Sequence, residues 1–442
     1  MATRAPAMST NVTLEAALRE AEERFVAANP RSRARFEAAC ANLPGGNTRS
    51  VLHYSPFPVA IARGEGCTLI DLDGHRYTDF LGEYTAGLYG HSHPVITAAV
   101  REALDSGFVL GGPNRWEVEL ARLVCERYPS IELARFTNSG TEANMMAMVT
   151  ARAATGRTHI MVFRGGYHGG VFYFPPGGSS PINAPFPFVT ADYNDTGGAL
   201  AAIERHASDL AAIVVEPMMG SGGGIPAERG FLQALRDAAS RHGIVLVFDE
   251  VMTSRLSPGG LQARLGITPD MTSLGKWIGG GMSFGAFGGR RDLMERYDPR
   301  RPAAWRHAGT FNNNVLTMSA GVAGLTRVYT PEAAERLTAR GDALREELNA
   351  LGRRHGVPVQ ATGVGSILGV HIQEQPIRRP ADTAATPEAV RALLHLEMLH
   401  RGYYMARRGF ISLNLMLEEE HYEGFVAAFD EFLDAHRSVL AA

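Results

Sequence analysis

Five short apolar runs between residues 134 and 287 constrain the fold of this chain more than any other feature of its sequence. Segments long enough to form helices separate them. Apolar runs with this spacing are typical of a parallel sheet that helices cover on both faces. The runs are ARFT (134–137), IMVF (160–163), AIVVE (212–216), IVLVFD (244–249) and FGAF (284–287). The sequence therefore predicts an α/β fold with a large, mostly parallel sheet.

The segments on either side of this region predict a smaller α+β unit. Upstream, we expect a loose tail over 1–12, one or two helices over 13–41, strands over 57–62, 67–71 and 76–80, and a turn at Asp73-Gly74. Downstream, we expect helices over 316–328, 331–354, 387–401 and 419–437, the strand-forming segment 361–372 and a strand near 410–415. This order is typical of a smaller domain that packs beside the large sheet.

Composition and charge exclude several classes of protein. The chain has 442 residues, a formal net charge of -3 and no block of basic residues, so nucleic acid is not an expected partner. No apolar run reaches the roughly 18–20 residues of a membrane span, and the first residues lack the apolar core of a secretory signal. Three scattered cysteines favour a reducing compartment over a disulfide framework. We therefore expect a cytoplasmic globular protein.

Lys276 is the only lysine among 43 basic residues, and it lies in the uncharged, glycine-rich segment SLGKWIGGG. A GC-rich genome explains an excess of arginine, but it does not explain why one lysine remains in this setting. Arginine keeps its proton near neutral pH, whereas a desolvated lysine loses it and becomes a nucleophile. Lys276 is therefore the one candidate for a neutral amine nucleophile.

Four other segments carry candidate site residues, and each has a plainer explanation when taken alone. Ser139, Gly140 and Thr141 follow an apolar run and open a helix, which is typical of an anion site and also of an ordinary N-cap. Asp249 ends the most apolar run and suits a protonated ring nitrogen or a structural ion pair. Tyr167 suits stacking on a flat ring or a loop contact. The GTFNNN loop at 309–314 suits a site or a turn.

The combination is more specific than its parts, and the sequence resembles the class III aminotransferases, which are pyridoxal 5'-phosphate (PLP) enzymes of fold type I. The matching motifs are NSGTEAN, YHGG, VVEP, LVFDEVMTSR, SLGKWIGGGMSFGAFGG and GTFNNN, and the resemblance covers about residues 36–437. Within the class, PGGNTRSV and GHSHP are similar to glutamate-1-semialdehyde aminomutases. RSVL, EYTAG, GTFNNNV and RRGF are more similar to β-amino-acid aminotransferases, notably those acting on β-phenylalanine.

The resemblance implies a domain division. It implies a large, mostly parallel seven-stranded sheet domain that binds PLP, over 76–330, and a smaller α+β domain over 331–442. The N-terminal segment, 1–75, is expected to contribute to the small domain. A homodimer is implied as well, because in this class a residue of the neighbouring subunit completes the phosphate site.

The resemblance also implies roles for individual residues. Lys276 bonds to the cofactor and then moves a proton between substrate and cofactor, while Asp249 pairs with the ring nitrogen. Ser139, Gly140 and Thr141 bind the phosphate together with the neighbouring subunit's copy of Thr310. Tyr167 and Val251 contact the two faces of the ring, and Glu216 lies near the cofactor. By the same resemblance, Arg49 holds the carboxylate of a β-amino acid and Arg408 that of a keto acid, with Arg407 as the alternative to Arg408.

We therefore predict a ping-pong transamination from a β-amino acid, such as β-phenylalanine, to a 2-oxo acid such as 2-oxoglutarate or pyruvate. Three alternatives stay open: an aminomutase that keeps the amine on one substrate, a class III transaminase for ω-amines or α-amino acids, and a sensor of the PLP fold that binds without turnover. FNNNV after Gly309-Thr310, where the aminomutase pattern has SGNP, lowers the aminomutase alternative. No G-x-G-x-x-G follows a strand, which disfavours a dinucleotide-dependent dehydrogenase.

Overall fold

A computed structural model describes residues 13–441, so the tail predicted over 1–12 lies outside the described residues. The region contains 13 α-helices and 16 strands, several of them short, together with short 3-10 turns. The helices are α1 (Leu14–Ala28), α2 (Pro30–Cys40), α3 (Pro94–Asp105), α4 (Arg115–Arg127), α5 (Gly140–Thr155), α6 (Thr196–His206), α7 (Arg229–His242), α8 (Gly260–Leu265), α9 (Arg291–Met294), α10 (Val315–Arg327), α11 (Pro331–His355), α12 (Glu388–His400) and α13 (Glu419–Leu440).

The strands form one large sheet and three small ones. They are β1 (Ile61–Glu65), β2 (Thr68–Asp71), β3 (Arg76–Asp79), β4 (Leu133–Thr137), β5 (His159–Phe163), β6 (Phe188–Ala191), β7 (Leu210–Val215), β8 (Met218–Met219), β9 (Ile225–Pro226), β10 (Val245–Asp249), β11 (Met271–Gly275), β12 (Gly285–Gly289), β13 (Val359–Val364), β14 (Ile367–Ile372), β15 (Tyr403–Tyr404) and β16 (Phe410–Ser412).

The predicted seven-stranded, mostly parallel sheet is confirmed, with strand order β4-β12-β11-β10-β7-β5-β6. Only β12 runs antiparallel to its neighbours, β11 and β4. The central strands β7 and β10 are buried along their whole length, which explains why they read as continuous apolar runs. Helices such as α5 and α7 bury apolar faces against the sheet, where Leu232, Leu235 and Met148 are fully buried.

One of the small sheets joins the two ends of the chain. Strands β1, β2 and β3 form an antiparallel sheet, and β15, more than 300 residues later, pairs in parallel with β3. Strands β13, β14 and β16 form a second antiparallel sheet, against which α11 packs. Helix α1 packs on α12. The predicted domain boundary after residue 75 falls between β2 and β3, which pair with each other, and the division at 75 and 330 stays a prediction.

Several elements differ from the sequence prediction. Strands β6 and β11 were not predicted, because β6 is only partly buried and β11 (MTSLG) contains the polar residues Thr272 and Ser273. The first strand begins at Ile61, not at residue 57, since Phe57 and Val59 pack in the core without a strand partner. Residues 361–372 form the two paired strands β13 and β14. The interruption that makes this hairpin is the turn at Gly365, whose φ of 54° favours glycine.

None of the helices within residues 13–441 combines the length and the apolar composition of a membrane span. The same residues contain no cluster of three histidine, cysteine or acidic side chains placed to hold a metal ion. Cys40, Cys67 and Cys125 are unpaired.

Candidate active site

Lys276 and Asp249 lie at one edge of the large sheet because the strands that precede them end there. Asp249 is the last residue of β10, and Lys276 follows directly after β11. Strand β12 connects this position to the end of β4, since Gly285 pairs with both Gly275 and Thr137. Ligand sites in open α/β sheets lie at the carboxyl ends of the parallel strands.

Lys276 points its amine at a main-chain oxygen. Its Nζ donates a hydrogen bond of 2.7 Å to the carbonyl oxygen of Tyr84. Burial lowers the pKa of Lys276 to about 8, although the charges of Asp249 and Glu216 act in the opposite direction. An amine with this pKa is partly neutral near physiological pH, as a nucleophile requires.

The titration of Lys276 can be measured without interference from other lysines. We expect that ¹³C-dimethylated Lys276, in protein freed of cofactor, titrates with a midpoint near pH 8 and not near the ordinary value of about 10.4. The α-amino group also reacts and titrates in the same range. The Lys276→Arg variant therefore serves as a control, because it leaves only the α-amino signal. A midpoint above pH 10 contradicts the expected burial.

Asp249 is buried and accepts hydrogen bonds from its own chain on both carboxylate oxygens, with one acceptor position of Oδ1 left over. Its Oδ2 accepts from Asn144 Nδ2 and bonds His168 Nδ1, each at 2.8 Å, and its Oδ1 accepts from the backbone N–H of Val251 at 3.0 Å. Burial lowers the pKa of His168, but the hydrogen bond and the charge of Asp249 outweigh it and raise the pKa overall. The geometry holds a carboxylate in one orientation at the strand end.

Glu216 and Tyr167 contact each other beside Asp249. Glu216 accepts hydrogen bonds from the backbone N–H groups of Tyr167 and Gly220, at 3.0 and 3.1 Å. Burial raises the pKa of Glu216, His168 lowers it, and the nearby charge of Asp249 raises it further. The side chain of Tyr167 remains 44% exposed, so its ring is free to stack on a flat group.

The start of α5 is both an ordinary N-cap and a suitable anion site, the two interpretations that the sequence left open. Ser139 is the N-cap, and its hydroxyl accepts from the backbone N–H of Glu142 at 3.1 Å. The first N–H groups of the helix, beginning at Gly140, have no partner within the helix and suit an anion. A Cβ at Gly140 would stand 2.8 Å from two methyl groups of Val251, so this helix start lies directly against Val251. Thr141 accepts from the N–H of Gly170 at 3.2 Å.

Thr310 is not joined to the other site residues within this chain. It is exposed and makes no hydrogen bond within residues 13–441. The loop that contains Thr310 nevertheless lies close to the start of α5, because Asn138 Nδ2 donates a hydrogen bond of 3.0 Å to Asn312 Oδ1.

The two predicted arginines lie on one aromatic ring. The guanidinium carbons of Arg49 and Arg408 are 5.6 and 5.0 Å from the ring centroid of Tyr84. Arg49 also forms an ion pair with Glu83. Arg408 lies over Phe410 as well, its Nε is buried without a hydrogen-bond partner, and burial lowers its pKa. By contrast, Arg407 pairs with Glu388 at 2.8 Å and donates to a main-chain carbonyl.

Sequence reasoning missed four residues of this site: Glu83, Tyr84, Asn144 and His168. All four lie inside the motifs EYTAG, NSGTEAN and YHGG, and His168 directly follows the predicted residue Tyr167. The sequence did contain one indication of Asn144 and His168. A buried carboxylate such as Asp249 requires hydrogen-bond donors, and both residues are polar side chains in motifs that were already assigned to the site. The contact between Lys276 and the Tyr84 carbonyl left no signal in the sequence, because any residue type supplies a carbonyl.

The arrangement fits the cofactor that the resemblance implies. An amine with a lowered pKa, a buried carboxylate, an exposed aromatic ring and the free N–H groups of a helix start lie at one sheet edge. Gly285 has no room for a side chain, because a Cβ there would stand 2.1 Å from the Ser139 carbonyl oxygen. These features match, in order, the reactive carbon, the ring nitrogen, the ring face and the phosphate of PLP.

Comparisons with known proteins agree with this assignment. The sequence pattern of the family described as aminotransferase class-III matches residues 51–409. The chain is 53% identical over 432 residues to beta-phenylalanine transaminase of Variovorax paradoxus, covering 98% of this chain and 99% of the relative. It is 37% identical to glutamate-1-semialdehyde 2,1-aminomutase of Sorangium cellulosum, covering 92% and 97%.

Solved structures show the same similarity. The crystal structure of the beta-phenylalanine aminotransferase from Variovorax paradoxus matches with a TM-score of 0.94, covering 96% of this chain and 98% of that one. A transaminase with PLP bound matches with a TM-score of 0.85 at 32% identity, covering 92% and 97%. The predicted fold type and the predicted resemblance are both confirmed. This chain belongs to the class III aminotransferases, enzymes of the fold-type I architecture.

Proposed function

We propose that this aminotransferase moves the amino group of a β-amino acid, such as β-phenylalanine, to a 2-oxo acid such as 2-oxoglutarate or pyruvate. The amine-bearing carbon of the donor becomes a carbonyl, and the carbonyl carbon of the acceptor receives the amino group. The reaction is ping-pong, so the donor leaves as a keto acid before the acceptor binds. The similarity to the Variovorax enzyme supports this donor class.

The observation that carries the proposal is the unpaired guanidinium of Arg408. It lies beside Tyr84, whose carbonyl oxygen holds the Lys276 amine, and no carboxylate within residues 13–441 pairs with it. A cation with a buried, unpartnered nitrogen requires an anion, and the carboxylate of a substrate supplies one. Arg407 already has a carboxylate, which favours Arg408 as the clamp.

Arg49 supplies the second carboxylate position. It approaches the same Tyr84 ring from a different loop, and its partner Glu83 is exposed, so a substrate carboxylate can replace Glu83. In a β-amino acid the amine is one carbon further from the carboxylate than in an α-amino acid. Two arginines at different places allow one reactive centre to accept both geometries.

PLP is the cofactor, and when bound it supplies an electron sink for the electrons left at the amine-bearing carbon. Ser139, Gly140 and Thr141 would hold its phosphate at the α5 N-terminus, and Tyr167 and Val251 would contact the two faces of its ring. Asp249, oriented by Asn144 and His168, would keep the ring nitrogen protonated, and Glu216 holds the loop of Tyr167. Lys276 Nζ takes the proton from the amine-bearing carbon of the substrate.

A half-reaction tests the donor class. Purified, cofactor-loaded protein is mixed with β-phenylalanine without any keto acid, and the cofactor absorbance is followed. We expect the lysine-bound band to convert into the amino form once per site, and 2-oxoglutarate or pyruvate to restore it. In parallel assays, an α-amino acid and a simple ω-amine are expected to react more slowly.

The other outcomes identify the alternatives. Conversion with the α-amino acid or the ω-amine alone rejects the β-amino-acid donor but retains the aminotransferase. Product that accumulates over many turnovers without added keto acid identifies an aminomutase. A lysine-bound band that no amine converts identifies a binding module.

A homodimer completes the site in this proposal. Large apolar side chains are exposed on the loop after α3 and beside Thr310, including Val109 at 81% and Phe311 at 64%. The two loops touch each other, because Asn114 donates to the Asn313 carbonyl oxygen at 2.9 Å. Exposed apolar side chains on two touching loops near the start of α5 suit a second copy of this chain, which would bring its own Thr310 to the phosphate.

Mixing two inactive variants tests the shared site. Lys276→Ala removes the amine, and Thr310→Asp places a negative charge beside the phosphate. If Thr310 acts across the interface, each mixed dimer contains one intact site, so an equal mixture regains about a quarter of the wild-type sites. The separate variants are the controls. Activity no higher than their average places Thr310 on the site of its own chain.

We also propose that the enzyme works in the cytoplasm on small-molecule amino and keto acids. The three unpaired cysteines support a reducing compartment.

A further inference from the structure

A four-residue turn beside the active site has a backbone geometry that L-amino acids rarely adopt. Gly82, Glu83, Tyr84 and Thr85 have φ angles of 52°, 46°, 51° and 82°. This left-handed region is unfavourable for residues with a Cβ, and three of the four have one. The surrounding contacts must therefore hold these residues, which we call the 82–85 turn, in place.

The 82–85 turn supplies three parts of the site. The Tyr84 carbonyl oxygen accepts from Lys276 Nζ. The Tyr84 ring lies beneath both Arg49 and Arg408, and it stacks on Phe410 with centroids 5.8 Å apart. A change in the turn therefore moves the acceptor of the amine and the support of both substrate arginines together.

One end of the turn is held by an aspartate. Asp79 Oδ1 accepts from the backbone N–H groups of Leu81 and Gly82, at 2.8 and 3.0 Å. The Ser412 backbone packs against this end, because a Cβ at Gly82 would stand 2.7 Å from the Ser412 carbonyl oxygen. Ser412 N–H also donates to the Phe80 carbonyl oxygen at 2.8 Å.

The other end is held by Arg255, which no step of the proposed reaction uses. Its Nη1 donates to the Thr85 carbonyl oxygen at 3.4 Å and to Ser412 Oγ at 3.0 Å. Its Nε donates to Ser366 Oγ at 3.1 Å, and its Nη2 to the Leu413 carbonyl oxygen. One side chain thus joins the 82–85 turn to two segments of the C-terminal part of the chain.

Arg255 is fully buried, and all its acceptors are neutral oxygens. Burial lowers its pKa to about 10. A buried cation without a carboxylate is costly, and an apolar side chain of similar volume would avoid the cost of removing the charge from water. The planar guanidinium of Arg255 compensates for this cost with several directional hydrogen bonds. Neither an apolar residue nor a lysine can form the same set.

We propose that Arg255 is a positioning residue for transamination: it holds the strained 82–85 turn so that the Tyr84 carbonyl receives the Lys276 amine and the Tyr84 ring supports both substrate arginines. The first part concerns the amine alone. The second part rests on the proposed function, because it assigns the two arginines to substrate carboxylates.

The Lys276 titration tests the first part. In cofactor-free protein, dimethylated Lys276 keeps one N–H when protonated, so it still donates to the Tyr84 carbonyl. In Arg255→Lys the 82–85 turn loses the hydrogen bonds of the guanidinium. The Tyr84 carbonyl then moves away from Lys276, and the protonated Lys276 amine loses a hydrogen-bond acceptor. We expect the midpoint to fall below that of the wild type. An unchanged or a higher midpoint overturns the proposal. Either result means that the protonated amine is stabilised as well in the variant as by the Tyr84 carbonyl in the wild type.

Steady-state kinetics tests the second part. We expect KM for β-phenylalanine and for the keto acid to rise by about ten- to a hundredfold in Arg255→Lys, since both arginines lose their support. Rates are normalised to cofactor-loaded sites. A merely structural role lowers the number of active sites and leaves both KM values unchanged, and that result overturns the second part.

Two further variants make the result specific. Arg236→Lys is the matched control, because Arg236 is also largely buried but pairs with Asp270 at the opposite edge of the sheet. Its Lys276 midpoint and KM values should equal those of the wild type. If Arg255→Lys does not fold, Ser412→Ala removes one acceptor of the same Nη1 and is expected to shift both readouts in the same directions, and wild-type values in it overturn the proposal. If the wild-type enzyme ignores β-phenylalanine, the proposed donor fails while the midpoint still decides the role of Arg255.

Discussion

Replacing Lys276 by alanine is expected to lower multiple-turnover transamination by at least about a thousandfold, the range assigned to a positioned acid–base group. The chain has no second lysine, so no other side chain of the same kind takes over. Lys276 has a φ of 56°, and alanine has the same left-handed strain, so the substitution tests the amine and not the backbone. The measurement is kcat in the presence of both substrates.

Lys276→Arg is the informative companion variant. It keeps a positive charge near Asp249 and Glu216, but a guanidinium does not lose its proton near neutral pH. We expect it to be as inactive as the alanine variant while its thermal unfolding stays close to that of the wild type. Sustained turnover by either variant would contradict the assignment of Lys276 as the reacting amine.

Replacing Asp249 by asparagine is expected to lower kcat by about a hundred- to a thousandfold, the size of the loss when one preorganised electrostatic group is removed. The amide has nearly the same shape, but it is neutral and no longer favours a protonated ring nitrogen. The amide also places an N–H donor next to Asn144 and His168, both of which form hydrogen bonds with Asp249 Oδ2 in the wild type. Stopped-flow measurement of the half-reaction isolates the step that slows.

His168 supplies the control and a second readout. His168→Gln leaves the Asp249 charge and the Asn144 bond in place, so we expect a smaller loss of rate than in Asp249→Asn. The charge of Asp249 and its hydrogen bond raise the pKa of His168 against the effect of burial, so this pKa should fall in Asp249→Asn, as histidine NMR signals would show. Equal losses in both variants would mean that the orientation of Asp249 matters more than its charge.

The sequence was most informative where residue type alone carries the chemistry or the fold. The apolar runs at 160–163, 212–216 and 244–249 became strands β5, β7 and β10, because a strand that is buried on both faces must be apolar throughout. The single lysine and the acid at the end of β10 were identified because few side chains can act as a neutral amine or a buried anion. Strand β6 was not predicted because it lies at the edge of the sheet and is only partly buried, and β11 because it contains Thr272 and Ser273 although its neighbours in the sheet bury it completely.

The tertiary structure decided which residues act together. The residues themselves identified Lys276, the end of β10 and the helix start at Ser139, and the family resemblance implied Arg408 with Arg407 as the alternative. Only the folded chain shows that Arg407 already pairs with Glu388, whereas Arg408 lies unpaired on the Tyr84 ring. It also shows that the Tyr84 carbonyl partners Lys276, 192 residues away, and that Arg255 holds this turn. The physical reason is that a main-chain carbonyl has no residue identity and that burial, which lowers the pKa of Lys276, is a property of the packed molecule.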